Sequence, residues 1–265
     1  MRRERGAAFL IALGALALIS ALAAAALSLA SGPATRAAAA VEQAAATRAA
    51  EAALHRLFAA AASAEFRAAA PLDGAVISTT FFGARIDFSA QDAGGLVDLN
   101  AAPAAVLHRL LTLTGARGAD ADAIARAWVG ARSARAGRAG FPTPEAAVAA
   151  LPPRLRPAAE AAIGHATTWS GRAAVDPWVA TAPALAASAD LTLAEAQAFV
   201  ARRALEGRAT PPPPGADLDG LAASDGRVAR LTVRAETEGG GRAALSAVVR
   251  VTESPRAPVA ILAWR

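Results

Sequence analysis

The side chains that most often carry out catalysis are few in this sequence and lie far apart along it. The chain has three histidines, His55, His108 and His165, and no cysteine. Lysine is also absent, so all 27 basic residues are arginines, which excludes a P-loop lysine and a Schiff-base lysine. The spacings typical of zinc hydrolases, serine hydrolases and dinucleotide-binding proteins do not occur. We therefore expect no enzymatic activity.

A loop in the last quarter of the chain contains acidic residues of the kind that bind metals. Asp217, Asp219 and Asp225 lie among glycines, and calcium takes several oxygen ligands from loops of this kind. The EF-hand pattern is not met, because Gly220 directly follows the second aspartate and no glutamate closes the loop. A calcium site and an ordinary solvated linker therefore both stay open, and the sequence assigns no metal ligands.

The segment 111–127 has two glycines among apolar residues, as helix-hairpin-helix DNA-binding elements do. Gly115 and Gly118 are spaced G-x-x-G rather than G-x-G, and Asp120 and Asp122 follow directly, where they would repel a phosphate. The net charge of +5 comes from interspersed arginines that form no long basic run. The sequence predicts a helix–turn–helix packing element and no nucleic-acid partner. A membrane-anchored periplasmic DNA-binding protein is the alternative hypothesis.

The N-terminus of the chain has a pattern typical of membrane targeting. Arg2, Arg3 and Arg5 precede the 24 residues 7–30, which carry no charge. A helix of this length reaches about 36 Å, enough to cross a hydrocarbon core of about 30 Å. The basic flank stays in the cytoplasm, so the sequence predicts a single pass of a bacterial inner membrane, with the body in the periplasm.

Three interpretations fit this N-terminus. A secretory signal would be cut within residues 24–30, a plain anchor would not be cut, and a pilin-type leader would be cut between Gly6 and Ala7. Residues 36–70 favour the third, because they are alanine-rich with spaced charges and predict a long stalk helix, which the Gly-Pro pair at 32–33 should kink or interrupt. Its loose apolar stripe consists of Val41, Ala45, Leu54, Leu57, Phe58 and Ala61.

Strands are predicted on both sides of a largely helical region. The predicted strands are residues 75–82, 84–88, 96–99, 228–236, 243–251 and 259–264, the first three forming an antiparallel meander. Each has one apolar face, so the strands need a second layer, which we expect the stalk helix to supply. In the helical region, Asn100 is expected to cap one helix, another is expected to begin at Thr143-Pro144-Glu145, and Thr192 is expected to form a capping box with Glu195. Residues 97–110 and 175–188 are weakly alike, which suggests a tandem repeat.

These patterns predict an α+β protein whose chain is divided into successive segments. They are a leader at 1–6, the transmembrane part of the stalk helix at 7–30, its periplasmic part at 31–70, the first part of the sheet at 71–99, a helical domain at 100–209, a linker at 210–227 and the last part of the sheet at 228–265.

Three segments resemble a known family: residues 95–107 (GLVDLNAAPAAVL), residues 165–185 (HATTWSGRAAVDPWVATAPAL) and the ending PVAILAWR. With the order of the predicted elements, they resemble the minor pseudopilins of type II secretion systems called general secretion pathway protein K, over nearly the whole chain. The resemblance implies a type IV pilin-like stalk helix packed on a small antiparallel sheet, with a large all-helical domain inserted into the sheet. It also implies a place at the pseudopilus tip, where such a protein starts assembly with other minor pseudopilins and helps to export folded proteins.

The fifth residue after the predicted cleavage agrees with this resemblance. Most pilins carry a glutamate there, which is thought to pair with the terminal amine of the subunit ahead, whereas this chain has Ile11. A carboxylate inside the membrane costs about 2.5–3.5 kcal/mol, so a tip subunit with no subunit ahead can lose it. The resemblance further implies prepilin peptidase and the inner-membrane secretion platform as partners, and calcium binding in some members.

Overall fold

The computed structural model describes residues 2–63, 72–134, 140–252, 254 and 256–265. It contains one long N-terminal helix, a five-stranded antiparallel sheet, and short helices that lie, along the chain, between two neighbouring strands of that sheet. The α+β class and the long first helix agree with the expectation from sequence.

The strands are β1 (Asp73–Phe81), β2 (Ala84–Asp92), β3 (Val97–Asp98), β4 (Ala166–Thr167), β5 (Val228–Thr237), β6 (Arg242–Val251) and β7 (Val259–Trp264). The helices are α1 (Arg2–Ala62), α2 (Ala104–Leu113), α3 (Gly118–Ala134), α4 (Pro144–Ala149), α5 (Arg156–Ile163), α6 (Ala182–Ala189) and α7 (Leu193–Glu206). The ends of most elements lie within a few residues of the positions expected from the sequence, and β7 has the predicted bounds.

Helix α1 is continuous over 61 residues and passes through Gly32 and Pro33, so the expected interruption is not present. A proline removes one backbone donor from a helix, and the alanine-rich turns on either side retain their own hydrogen bonds. The helix ends at Ala62, and the predicted end at residue 70 lies outside the described residues.

The C-terminal part of α1 forms the second layer of the sheet, as predicted. Leu54, Leu57 and Phe58 are buried there against apolar side chains of the strands, and alanines at intervening positions let the helix lie close to them. Residues 35–41 are exposed, and 67% of the surface of Val41 is accessible, so this residue does not belong to the buried stripe. The buried face of α1 therefore begins after the point expected from the sequence.

The main sheet has the order β1-β2-β5-β6-β7, and every neighbouring pair is antiparallel. Strands β2 and β5 pair from Ala84 opposite Thr237 to Asp92 opposite Ala229, although residues 93–227 separate them along the chain. Helix α1 lies mainly over β5 and β6, near the middle of the sheet and towards its β7 side. Strand β1 is thus at one edge, away from the helix.

Residues 93–227, here called the helical block, have a hydrophobic core distinct from the one between α1 and the sheet. Trp128, Leu110, Leu185 and Phe199 are among its fully buried side chains. The buried indole nitrogen of Trp128 donates a hydrogen bond to the carbonyl oxygen of Ala147 over 3.0 Å, so this large side chain leaves no polar atom unpaired.

The helix start predicted at Thr143 and the capping box predicted at Thr192 are both present. The Thr143 side chain accepts a hydrogen bond from the Ala146 backbone over 3.2 Å at the start of α4. Thr192 and Glu195 form the predicted capping box at the start of α7. Asn100, by contrast, does not cap α2, whose N-cap residue is Pro103.

The side chain of Asn100 instead binds a distant backbone segment. Its Oδ1 accepts a hydrogen bond from the Phe141 amide over 2.7 Å, and its Nδ2 donates to the Phe141 carbonyl oxygen over 3.0 Å. An amide side chain can satisfy both groups of one backbone residue, whereas a helix cap would use only its oxygen.

The segment 96–99 does not extend the meander. Its strand β3 pairs in parallel with β4, with Val97 opposite Ala166 and Asp98 opposite Thr167. Strand β2 already has β1 and β5 on its two sides, so it offers no free edge to a third strand of the meander. The third predicted strand is therefore part of the helical block.

Candidate functional site

The three histidines do not form a site. His55 lies on α1 and contacts the rings of Phe58 and Trp264, while His108 on α2 lies 3.4 Å from Asp122 of α3. The Nδ1 atom of His165 lies 3.1 Å from the Thr181 hydroxyl, and burial, followed by the charge of Arg230, lowers the pKa of this imidazole. Each ring is occupied by its own local contacts, and no described histidine hydrogen-bonds or ion-pairs with another.

The acidic loop does not gather its carboxylates. Asp217 Oδ1 accepts a hydrogen bond from the Asp219 backbone over 3.1 Å, and Asp225 Oδ1 accepts one from the Arg227 backbone over 3.0 Å. Such bonds stabilise turns and use the oxygens that a cation would need. Within the described ranges, no group of three or more histidine, cysteine or acidic side chains is arranged to hold a metal ion.

Gly115 and Gly118, which the sequence suggested as a possible phosphate-binding loop, lie where α2 connects to α3. Gly115 has φ 103°, a conformation that glycine adopts readily, and it lets the chain reverse into the next helix. Asp120 is in the first turn of α3, and Asp122 pairs with His108 on the neighbouring helix. The carboxylates stand close to the N-terminus of α3, where a phosphate would be expected to bind, which disfavours DNA as a ligand of this turn.

The residues of the predicted processing site lie on α1. Gly6, Ala7 and Ile11 are within its bounds, but their side chains, like those of most of residues 7–30, are outside the part that the structure describes. Among the residues that could be assessed, no helix has the length and apolar character required to cross a membrane. The cleavage position and the membrane segment stay predictions.

Two buried aspartates, whose role the sequence did not reveal, hold the loops of the helical block. Asp98 Oδ1 accepts from the Asn100 amide over 2.7 Å, and its Oδ2 accepts from the Gly171 amide over 2.7 Å. Asp176 Oδ1 accepts from the Trp178 amide over 2.9 Å. A buried carboxylate is tolerated when N–H groups satisfy its oxygens, so these residues act as backbone clamps.

The same two aspartates occupy equivalent places in the weak sequence repeat. Each follows a valine in a Val-Asp pair, at 97–98 and 175–176, and accepts a hydrogen bond from the amide two residues later. Each is followed by a short helix, α2 or α6, and these two helices pack against each other. The repeated Val-Asp pair was therefore the signal that could have identified both clamps.

Asp92 lies at the junction between the sheet and the helical block. Its Oδ1 accepts hydrogen bonds from the Gly94 amide over 2.7 Å and from the Ser224 hydroxyl over 3.1 Å. Burial raises the pKa of Asp92, and the two hydrogen bonds oppose that effect. The residue borders a cavity of about 690 Å³ that is also lined by Arg172, Asp225 and Arg250. Because acidic and basic groups face this cavity together, it does not select one charge of ligand.

A second, largely apolar surface lies along β1. A groove of about 320 Å³ separates α1 from this strand and is lined by Ala53, Arg56, Leu57, Ala60, Thr79, Thr80, Phe81, Ile86 and Phe88. The turn after β1 carries Phe82, with 77% of its surface accessible. The sequence assigned β1 to the sheet but did not reveal that this face stays uncovered.

No known protein-family profile matches the sequence, and no curated protein is significantly similar to it. The structure is similar to one chain of the solved GspK-GspI-GspJ complex from the type 2 secretion system of enterotoxigenic Escherichia coli, with a TM-score of 0.48 and 12% sequence identity. The similarity covers 83% of this chain and 98% of that chain.

Among the described residues, the catalytic and metal candidates named from the sequence are not brought together. The buried carboxylates are used by backbone donors, and none of them hydrogen-bonds with a histidine as an acid–base pair would. The features that remain to be explained are the exposed part of α1, the insertion of the helical block and the groove beside β1.

Proposed function

We propose that this protein is a minor pseudopilin of a type II secretion system that occupies the tip of the pseudopilus. There it would start assembly with other minor pseudopilins and help to export folded proteins, acting by packing and shape rather than by catalysis. The observation that supports this most is the arrangement of α1, which covers the sheet with its C-terminal part and leaves residues 35–41 exposed. One continuous helix thus links the folded body to the basic, then uncharged, N-terminal sequence.

The helical block supports a position at an end of the fibre. Residues 93–227 leave the sheet after β2 and return to it at β5, and they have their own core, as expected for a domain inserted into a pilin-like sheet. A domain of this size beside every stalk would crowd the neighbours in a closely packed shaft. Ile11 agrees with this position, because a terminal subunit has no subunit ahead whose amine a glutamate would pair with.

The partners that follow are other minor pseudopilins, prepilin peptidase and the inner-membrane secretion platform. The protein would be anchored in the bacterial inner membrane by one segment, with its N-terminus in the cytoplasm and its body in the periplasm. We propose neither an enzymatic activity nor a nucleic-acid partner. Asp217, Asp219 and Asp225 do not converge on a calcium site, and the carboxylates near Gly115 and Gly118 would repel a phosphate.

The tip position can be tested by labelling assembled pseudopili. An epitope tag inserted between Pro214 and Gly215, both exposed, should label one end of each fibre when the tagged chain replaces the native one in the source bacterium. Secretion should be retained in that strain and lost when the gene is deleted. Labelling at regular intervals along the shaft would contradict the tip position, and normal secretion after deletion would contradict the proposed role.

A further inference from the structure

Strand β1 is an edge strand with little of the usual protection against pairing. It pairs with β2 on one side, and no described strand lies on its other side. Residues 74–81, GAVISTTF, make up most of this nine-residue strand and contain no charged residue and no proline. Sheet edges normally carry lysine, proline or bulges that prevent addition of a further strand. In β1 the pairing is irregular only between Asp73 and Val76, so the free backbone groups from Val76 to Phe81 are available to a strand of another chain.

The face of β1 that points towards α1 is also uncovered. Ile77, Thr79 and Phe81 lie opposite Phe88, Ile86 and Ala84 of β2, and cross-strand partners share one face of a sheet. Ile86 and Ala84 are buried under α1, whereas 40% of the surface of Ile77 is accessible. Because α1 lies over β5 and β6, it leaves the groove beside β1 open.

Phe82 adds an exposed aromatic ring at the end of this groove. It is the first residue of the two-residue turn between β1 and β2, and its φ of 51° is in the region that asparagine and glycine adopt more readily. Its ring lies 4.3 Å from that of Phe81, centroid to centroid. The turn thus has a bulky apolar residue where local stability favours a small polar one. A strained residue of this kind often marks a functional contact.

Arg56 is the one charged residue among those that line the groove. Its guanidinium carbon lies 5.1 Å from the centroid of Phe81, and no ion pair involves it among the described residues. If the molecule bound in the groove placed a carboxylate beside Arg56, the two charges would form an ion pair at the border of the apolar groove. An ion pair in that position favours specific binding.

We propose that β1, the groove and Phe82 form a docking surface for a strand of another minor pseudopilin. That strand would be largely uncharged, would pair with the free edge of β1, and would place one carboxylate beside Arg56. A second copy of this chain that paired through its own β1 would not fit as well, because residues 74–81 bring no carboxylate to Arg56. The choice of partner rests on the proposed function, whereas the location of the surface rests on the geometry described above.

The decisive variant is Phe82→Asn, because it should weaken binding without lowering the stability of the fold. Asparagine before Gly83 favours the positive φ of this turn, so the melting temperature should stay the same or rise. Removal of the aromatic anchor should weaken binding about tenfold or more. Binding is measured between the full-length chain and each full-length minor pseudopilin of the same bacterium, in detergent. Leu205→Asn is the control, since Leu205 is 89% exposed on the helical block and its loss should leave binding unchanged.

Two further measurements identify the occupant. Arg56→Gln should weaken binding and reduce its dependence on salt, as expected when one ion pair is removed. A photo-crosslinking phenylalanine analogue at position 82 should link the chain to a minor pseudopilin in cells, while the same analogue at 205 should not. Cross-linking mainly to a second copy of this chain would overturn the proposed occupant. Unchanged binding by Phe82→Asn would overturn the surface, whereas failure of the wild-type chain to bind any minor pseudopilin would overturn the proposed function.

Discussion

Arg230 on β5 donates a hydrogen bond from Nη2 to the carbonyl oxygen of Ala166 over 2.8 Å, and this contact joins the sheet to the helical block. Its Nη1 also donates to the carbonyl oxygen of Gly164 over 3.3 Å. The side chain is long enough to leave the sheet and reach the turn before β4. This arginine therefore adds to the hydrogen bonds from Ser224 to Asp92 and from Gln91 to the carbonyl oxygen of Val179, which also join the sheet to the helical block.

Replacement of Arg230 by methionine should lower the stability of the protein. The change keeps most of the aliphatic packing but removes the donors to two carbonyl groups, and a loss of about 1–3 kcal/mol in the free energy of unfolding is expected. Denaturant unfolding measures this. Arg234→Met, at an exposed position of the same strand, should change stability by less than about 0.5 kcal/mol. Equal losses in both variants would contradict a bridging role for Arg230.

Asp176→Asn should destabilise the helical block. Both oxygens of this fully buried carboxylate accept backbone hydrogen bonds, from Trp178 over 2.9 Å and from Ser224 over 2.7 Å. An asparagine keeps one acceptor and directs its NH₂ group at the other amide, so we expect a loss of about 1–3 kcal/mol in unfolding free energy. Asp190→Asn, at an exposed site, is the control in the same assay. A neutral result for Asp176→Asn would show that its second oxygen is dispensable.

Asp92→Asn should have a milder effect that depends on pH. Both hydrogen bonds to Asp92 end on Oδ1, which asparagine can replace, and burial raises the native pKa of this carboxyl above its usual value of 3.8. The native state therefore keeps the proton to higher pH than the unfolded state does. The wild-type protein thus becomes less stable as pH rises from about 3.8 through the native pKa of Asp92. The variant lacks this titrating group and does not show that decrease. The stability of the variant relative to wild type should increase over this interval.

Asp87→Asn provides the control with the opposite sign. A hydrogen bond from Ser78, followed by the interaction with Arg85, lowers the pKa of this exposed carboxyl. Its contribution to stability is present above the unfolded pKa and is lost as pH falls through the native one. Unfolding curves measured across the acid range should therefore diverge in opposite directions for the two variants. A parallel pH response would contradict the raised pKa of Asp92.

Excision of the helical block should leave a folded sheet. Asp92 and Ala229 face each other across β2 and β5, so a short glycine-containing loop can replace residues 93–227. No described residue of that range belongs to the core between α1 and the sheet. We expect cooperative thermal unfolding and a far-ultraviolet circular dichroism spectrum that contains the contributions of both α1 and the five strands. An unfolded product would contradict the inserted-domain arrangement.

Gly6→Glu should block processing of the leader. Cleavage by prepilin peptidase requires access to the bond before Ala7, which a large charged side chain at residue 6 would hinder, whereas Gly6→Ala should still be cut. Amino-terminal sequencing of the wild-type protein is expected to begin at Ala7, and the Gly6→Glu protein should retain its leader and fail to support secretion. A wild-type chain that begins beyond residue 24 and is soluble in the periplasm would exclude the pseudopilin hypothesis.

Features that depend on neighbours in the sequence could be predicted from it. The capping box of Thr192 and Glu195, the cap at Thr143 and the strand β7 all form within a few residues, so their patterns are local. The alternation of apolar residues in β5 and β6 likewise predicted a sheet with one buried face, because side chains of a strand point alternately to its two sides. The α+β class follows from such patterns.

Tertiary structure decided the features that depend on distant partners. Asn100 binds Phe141, β3 pairs with β4, and Arg230 reaches Ala166. The two members of each pair are too far apart in the sequence for a local pattern to predict their contact. The open groove beside β1 arises because α1 crosses β5 and β6, a placement set by which apolar faces fit together. The sequence by itself thus determined the elements and the stalk, whereas packing determined which surface of the sheet remained available to a partner.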